Sequence, residues 1–374
     1  MKETFNALVR FIRVPMTTRS GCNVAVVIPV INEADNLKTL LPLLRRYDVM
    51  LVDDGSVDDS CKVAESFPNV RVLERGKKGG LVSAIIDGFR QLDRSNYCRI
   101  AVLDSDFSHD PLKIDEMIQF SIERDLDLVI GSRYIQNGRN NDRVARKIIS
   151  KVANLSFRSA FSSQIRDATS GFRVYSSRAV EYIIMEDAKQ RISPSYAGQT
   201  DIVRRLSSGG FRIGEYPIVF RAREKGKSKL APRDVGAFLS LILWKGYVLR
   251  YVLVGITGVF VNEIVLKILF GYMGSVAEIV SIESSLLSNF FLNDKLTFGA
   301  QTGSLRHSLA SRLARYNLYN LGGVAINLSI FLILIHIGIN ILVSNLIGIL
   351  AAFAFTYFSS TFSVWRTDTV VTRP

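Results

Sequence analysis

The chain has 374 residues, with 47 Lys and Arg against 34 Asp and Glu, a net charge of +13 and a hydrophobic share of 48%. A basic surplus points to nucleic acid or an anionic membrane surface, but a nucleic-acid binder of this length is rarely so apolar, so nucleic acid is set aside as a partner and the lipid bilayer retained. Three scattered cysteines, Cys22, Cys61 and Cys98, lack the spacing of a disulfide framework or a zinc site, which favours a reducing compartment.

Residues 1–21 carry Phe5, Leu8, Val9 and Ile12 at helical spacing among Lys2, Arg10 and Arg13. The stretch is too short to span a bilayer and reads as an interfacial amphipathic segment, with a frayed surface helix as the plainer alternative. From 22 to 232, short β-branched runs alternate with amphipathic stretches. Strands are predicted at 24–29, 49–52, 70–73, 99–103 and 126–130, and helices at 36–46, 56–66, 80–93 and 111–123. Apolar strands separated by helices imply an α/β domain built on a mostly parallel sheet covered on both faces. Ligands of such sheets bind beyond the carboxyl ends of the strands, so the residues after each run carry the chemistry.

Those residues are acidic. Pro29-Val30-Ile31-Asn32-Glu33 closes the first strand, Asp53-Asp54-Gly55-Ser56 follows the second, and Asp104-Ser105-Asp106 follows the fourth. In extended backbone Asp104 and Asp106 point to one side, an arrangement suited to a hard divalent cation bridging phosphate oxygens. A surface turn is the bland origin of a lone Asp-x-Asp; three acidic strand ends meeting on one edge argue for a site.

Residues 233–247 are amphipathic and hold Trp244, Lys245 and Tyr247, residue types that settle at a membrane interface. Beyond 235 only 9 of the 47 basic and 5 of the 34 acidic residues remain. Four stretches there, 248–270, 276–293, 316–337 and 341–364, approach the roughly 20 residues of a membrane span. They form a four-helix transmembrane domain at 248–366, followed by a tail at 367–374. Lys295, Arg306, Arg312 and Arg315 between spans two and three, with Arg366 and Arg373 after the last span, contrast with uncharged links at 271–275 and 338–340. The positive-inside rule then puts both termini and the N-terminal domain on the cytoplasmic face. This half also repeats itself. Arg250-Tyr251, Gly258 and Asn262 recur 65 positions later as Arg315-Tyr316, Gly323 and Asn327, and Phe290-Phe291 and Phe298 recur 67 later as Tyr357-Phe358 and Trp365. Two duplicated hairpins follow. Glu263 and Lys267, four apart in the first span, are expected to form a sheltered ion pair, with a transport role as the alternative.

The ordered set Pro29 to Glu33 with Asn36-Leu37, Val52 to Ser56, Asp104-Ser105-Asp106 with His109-Asp110-Pro111, Gly131-Ser132-Arg133-Tyr134, Asp167 with Ser170-Gly171-Phe172-Arg173, and Gly226 to Leu230 resembles family 2 glycosyltransferases. More narrowly it is similar to dolichyl-phosphate mannose synthases and related polyprenyl-phosphate hexose transferases, over about residues 22–232. The membrane half, through Arg250-Tyr251 to Asn262 and Glu283 to Phe298, resembles the four-helix polyprenyl-linked sugar translocation proteins. Archaeal-type mannose synthases that join both parts resemble the chain from end to end.

The resemblance implies a GT-A-type, Rossmann-like domain and a membrane-bound inverting transfer of a hexose. Mannose from GDP-mannose, passed to dolichyl or another polyprenyl phosphate, is the favoured reaction. A UDP-glucose-dependent glucosyltransferase is the alternative enzyme, and a lipid-linked sugar flippase with a regulatory cytosolic domain the alternative function. A processive polysaccharide synthase is disfavoured because its Gln-x-x-Arg-Trp motif is absent. By the same resemblance Pro29, Ile31, Glu33 and Asp53 line the nucleoside pocket, with Ile31 where the family usually has Tyr. Asp104 and Asp106 hold Mg²⁺ or Mn²⁺ on the donor diphosphate, and either water or the hydroxyl of Ser108, which stands where the family has Gln, completes the metal site. Arg133, Arg146 and Ser150 grip the lipid phosphate, Arg133 counting with the two aspartates as catalytic. A solvated or headgroup-facing basic helix that includes Lys147 and Lys151 is the plainer reading of that run. Arg221, Lys227 and Lys229 clamp the donor diphosphate as segment 226–230 closes, or the segment is a basic juxtamembrane linker. His109 is expected to pack locally rather than ligate, and Asp201, ahead of Arg204 and Arg205, receives no proton-transfer role. Acceptor chain length and oligomeric state stay open.

Overall fold

The computed structural model describes residues 23–161, 163–222, 232–299, 307–366 and 371–374. The segment expected at 1–21 and the proposed closing segment with Lys227 and Lys229 lie outside the described residues. The chain divides into two compact units, one formed by residues up to 154 with 165–238 and 371–374, the other by 155–164 and 239–370.

The first unit is built on a seven-stranded sheet. Its strands are β1 (Val24–Val30), β2 (Asp48–Asp53), β3 (Val70–Glu74), β4 (Arg99–Val102), β5 (Leu128–Ser132), β7 (Arg173–Ser176) and β8 (Ile213–Pro217), in the order β3-β2-β1-β4-β7-β5-β8. A separate parallel pair joins β6 (Arg139–Asn141) to β9 (Val219–Arg221). β1, β2, β3 and β4 run parallel, as does β8 beside β5, and only β7 is antiparallel to its neighbours. The five predicted strands are present within two residues at each end. β7 and β8 went unread because they are short and begin or centre on charged residues, Arg173 and Glu215, both fully buried here.

Helices α1 (Ala34–Leu40), α2 (Ser60–Glu65), α3 (Leu81–Gln91), α4 (Lys113–Glu123), α5 (Val144–Ala160), α6 (Ser177–Lys189) and α7 (Ala197–Ser208) complete the α/β pattern. The helix expected over 36–46 ends early as α1 tightens into a 3₁₀ turn at Leu41–Leu44, where Pro42 lacks a backbone donor. The core joins Val26, Ile28, Leu51 and Val129 to Leu37, Met117 and Phe172 from the covering segments. Fully apolar strands such as β1 require cover on both faces, which is why they read as continuous hydrophobic runs. Cys98, just before β4, is disulfide-bonded, whereas Cys61 is free, which corrects the expectation of unbridged cysteines.

Helix α8 (Pro232–Ser240) continues into a π-helical turn at Leu241–Lys245, where Trp244 is exposed. The second unit holds α9 (Val248–Met273), α10 (Val276–Leu292), α11 (Leu309–His336) and α12 (Ile341–Ser359). Val248–Met273, Leu309–His336 and Ile341–Val364 are long and apolar enough to cross a membrane. α10, with 17 residues and both Glu278 and Glu283, is a shorter fourth candidate.

The duplication read from the sequence reappears as packing. α9 packs on α10 and α11 on α12. Gly258 lies so close to Asn289 that a Cβ would sit 2.2 Å from its Nδ2, and Gly323, 65 positions later, lies against Thr356, 67 after Asn289, with a Cβ 2.6 Å from Cγ2. Each hairpin ends in a π-helical turn, Asn293–Thr297 and Ser360–Val364. Phe298 and its repeat mate Trp365 stack at 4.5 Å and 11° within a cluster that includes Tyr251, Phe290, Tyr316 and Tyr357. The Trp365 Nε1–H donates to Asp294 Oδ1 at 2.9 Å, and Arg312 pairs with that carboxylate.

Glu263 and Lys267 do not form the expected pair. Both are exposed and no ion pair joins them, because α9 turns the opposite face, with Val254 and Gly258, inward. Close approach of the hairpin helices gives a direct test. A Cβ on Gly348 would meet Asn327 Oδ1 at 2.2 Å and its backbone oxygen at 2.9 Å, whereas Gly271 has nothing within 4 Å. Gly348→Ala is expected to lower stability by about 1–3 kcal/mol and Gly271→Ala to change it little, as read by thermal unfolding in detergent.

Candidate active site

The carboxyl ends of β1 and β2 lie side by side, with Val30 opposite Asp53, and β4 flanks β1 on its other side. The three acidic strand ends therefore share one edge, as parallel pairing requires. The antiparallel β7 brings its preceding loop, Asp167 to Phe172, to the same edge, since Arg173 pairs with Val102.

At the β2 end the two aspartates have different work. Asp53 is buried and accepts from the backbone N–H of Gly55 and Ser56 at 3.1 and 2.9 Å and from the Ser56 hydroxyl. Asp54 accepts from the N–H of Gly79 and Gly80 at 2.7 and 2.9 Å and pairs with Arg75 at 2.6 Å. Arg75 also reaches Asp87 and Ser83. This buried clamp fixes the loop 75–80 across Asp53 to Gly55. Sequence reasoning missed it, although the Gly79-Gly80 pair before a helix was a usable signal. Asp54→Ala is expected to destabilise the domain by about 1–3 kcal/mol, because it removes the acceptor of the Gly79 and Gly80 N–H groups and one of the two carboxylates that hold Arg75, and denaturant unfolding measures the loss.

Pro29 is buried in β1, Ile31 is half-buried, and Glu33 is buried, accepting from Asn36 Nδ2 at 2.6 Å. All three lie at the same strand end, beside Asp53 at the end of β2.

Around β4, burial alternates. Asp104 and Asp106 are half-exposed while Ser105 between them is buried, so the two carboxylates face outward together. Phe107 has a φ of 58°, a conformation that costs a bulky residue about 1–3 kcal/mol. The turn is held by the Ser108 N–H donating to Asp106 Oδ1 at 3.0 Å and by the Arg221 N–H donating to the Ser108 carbonyl at 3.0 Å. Strand β9 thus brings Arg221 to this edge. Ser108 itself is buried, and its backbone does the holding. Gly171 leaves room beside Asp104: a Cβ there would lie 3.5 Å from Asp104 Oδ2.

His109 is buried, stacked on Phe172 at 5.2 Å and edge-on to Phe220, with Nδ1 3.8 Å from Asp104 Oδ2. Burial pushes its pKa down to about 4, so the ring is neutral. Among the described residues its Nδ1 has no hydrogen-bond partner. The ring packs between two aromatic side chains.

Among the described residues no group of three or more His, Cys, Asp or Glu forms a metal cage. Two outward carboxylates nevertheless fit Mg²⁺ or Mn²⁺, hard ions that take one or two protein carboxylates and fill the remaining positions from water and substrate phosphates.

Arg133, one residue beyond β5, is clamped rather than free. Its Nε and Nη2 donate to Asp167 at 2.7 Å each, Nη2 also reaches Thr169 Oγ1 at 2.8 Å, and its backbone N–H donates to Asp167 Oδ2 at 2.9 Å. The guanidinium stacks on Phe220 and Tyr134. Burial alone raises the Asp167 carboxyl, but the charge and hydrogen bonds of Arg133 outweigh it and hold the group below the usual range. Asn154 Nδ2 donates to Asp167 Oδ1 at 3.2 Å, and buried Arg173 donates to the carbonyls of Ser170 and Ala168, shaping the loop. On α5 the Ser150 and Tyr134 hydroxyls share a hydrogen bond, and Arg146 lies 3.7 Å from Asp142 and stays partly exposed. Arg133 and Ser150 therefore meet through Tyr134, while Arg146 sits one turn further out on the helix. Asn154 was missed, although it continues the four-residue spacing of Arg146 and Ser150. Asp201 is buried between Arg204 and Arg205, paired to both.

Residues 25–184 match the family described as Glycosyl transferase family 2, and residues 250–365 match the GtrA/DPMS transmembrane domain. A dolichol-phosphate mannosyltransferase from Pyrococcus furiosus is 32% identical over 366 residues, covering 92% of this chain and 99% of that protein. A polyprenol monophosphomannose synthase from Mycolicibacterium smegmatis is 32% identical over 231 residues, covering 59% and 86%. An undecaprenyl-phosphate mannosyltransferase from Micrococcus luteus is 34% identical over 231 residues, covering 59% and 93%.

Proposed function

Because the chain belongs to the family 2 glycosyltransferases that carry a GtrA/DPMS-type transmembrane domain, we propose that it transfers mannose from GDP-mannose to dolichyl or another polyprenyl phosphate, with inversion at the anomeric carbon. The observation that supports this most is the pair of outward carboxylates, Asp104 and Asp106, on the same sheet edge as the clamped guanidinium of Arg133. The three relatives are named for mannose or mannosyl transfer and for a polyprenol or its phosphate, which supports both substrate classes.

Asp104 and Asp106 would hold Mg²⁺ or Mn²⁺, which when bound neutralises charge growing on the departing diphosphate. Pro29, Ile31, Glu33 and Asp53 form the nucleoside side of the edge, and Arg221 faces the phosphates beside Asp106. Arg133, Arg146 and Ser150 orient the lipid phosphate. A phosphate monoester is already anionic at neutral pH, so no general base is needed. One of its oxygens bonds to the anomeric carbon as the bond from that carbon to the diphosphate breaks, and GDP leaves. The ion pairs of Asp201 keep it out of proton transfer. The catalytic domain faces the cytoplasm, in keeping with the basic loop that holds Lys295 and Arg312.

Transfer of labelled sugar from GDP-mannose and UDP-glucose to a short polyprenyl phosphate, with and without EDTA, tests the reading. A β-linked mannosyl product that disappears with EDTA is expected. A retained configuration overturns the mechanism, preference for UDP-glucose changes the donor, and no transfer from any nucleotide sugar leaves the flippase.

A further inference from the structure

We propose that Arg373 is a positioning residue for this site, acting through Glu215 to fix Asp167 and thereby the Arg133 guanidinium. The inference rests on the reading of Arg133 as part of the acceptor-phosphate site.

Glu215 is fully buried in β8, the edge strand of the large sheet. Its Oε1 accepts from the Ser132 hydroxyl at 2.8 Å and from the backbone N–H groups of Arg166 and Asp167 at 3.0 and 2.9 Å. One carboxylate oxygen thus ties the end of β5 to the start of the loop that holds Asp167. Its Oε2 accepts from Arg373 Nη2 at 2.9 Å and Nε at 3.2 Å. Among the described residues Arg373 is the only ion-pair partner of Glu215. Backbone pairing sets it there: Thr372 bridges Gly214 in parallel, and the Glu215 N–H donates to the Thr372 carbonyl at 2.9 Å. Thr372 is therefore held against the edge strand β8 by a single-residue bridge.

A buried carboxylate needs a partner to keep its charge, and an unpaired one takes up a proton or moves toward water. Either response weakens the hydrogen bonds from the Arg166 and Asp167 N–H groups and the Ser132 hydroxyl. Asp167 and Arg133 are locked together by three bonds, so the guanidinium moves with the loop. The contacts of Arg373 that carry this relay are its two hydrogen bonds to Glu215 Oε2.

The test is steady-state kinetics of the full chain in detergent, comparing Arg373→Ala, Arg373→Lys, Glu215→Gln and the double variant with Arg133→Lys as benchmark. Arg373→Ala is expected to move the same kinetic constant as Arg133→Lys, by on the order of tenfold, the scale at which outer-shell partners act. The acceptor KM is the constant expected, with the donor KM unchanged. Arg373→Lys should restore part of the loss, and added guanidinium ion should partly rescue Arg373→Ala. Once Glu215 is Gln, removing Arg373 should add no further loss. The inference is overturned if Arg373→Ala leaves that constant unchanged, or lowers kcat through lost active enzyme while both KM values hold. If Arg133→Lys and Arg373→Ala both shift the donor KM instead, the relay stands and the acceptor role of Arg133 falls.

Discussion

Asp106→Asn is expected to lower transfer by about 10³-fold while leaving the unfolding midpoint within a degree or two of the parent. Asp104→Asn should behave alike. Both side chains are partly exposed, so the loss is expected to fall on charge at the reacting diphosphate rather than on packing. Asn keeps the Asp106 side-chain oxygen that accepts from the Ser108 N–H, so the turn around Phe107 survives. Single-turnover transfer and thermal unfolding on the same preparations separate the two effects. An unfolding midpoint that falls with activity would assign Asp106 to the fold instead. Raising Mg²⁺ or Mn²⁺ should recover part of the Asn variants' activity if the loss is one of ion affinity.

Asp167→Asn is expected to cost about 3–5 kcal/mol of stability as well as activity, because it leaves the mostly buried Arg133 charge without its partner. The pH dependence supplies a second signature. The folded-state pKa of Asp167 is depressed, so its contribution is fully present above the unfolded carboxylate value, about 3.9, and is lost as pH falls through the lower folded value. The parent should therefore lose stability on acidification below about pH 4, and Asp167→Asn should lack that component. Unfolding free energies at pH 7, 5 and 3.5 check the sign. A variant as stable as the parent at pH 7 would mean that the pair contributes orientation alone.

Much of the candidate site's edge was legible because parallel strands leave a simple trace. Continuous apolar runs at β1, β2 and β4, each followed by acidic residues, locate a carboxyl edge without any three-dimensional information, and the two-residue spacing of Asp104 and Asp106 gives a common direction. The duplicated hairpins were equally plain, since nearly equal spacing in both halves produces corresponding contacts, Gly258 on Asn289 and Gly323 on Thr356. What misled was locality. Glu263 and Lys267 have the spacing of an ion pair, yet which side of α9 packs against α10 decides whether they are sheltered, and the sheltered side is the other one. Residues with no local signal were missed altogether: Asn154 and Glu215 act on Asp167 from 13 and 48 positions away.

Composition and pattern alone determined that this is a basic α/β domain joined to apolar hairpins, because hydrophobic period and charge segregation are properties of the chain itself. They also determined which acidic residues share a strand end. Only the tertiary structure decided how charge is used. Asp53 and Asp54 are neighbours, yet one closes its own turn and the other anchors a distant loop; Arg133, read as an open phosphate grip, is already held by Asp167; and Arg373 is brought 158 positions back along the chain to Glu215. Pairing of buried charges depends on which strands become neighbours, and a β7 inserted antiparallel between β4 and β5 is a choice that the spacing of residues along the chain does not encode.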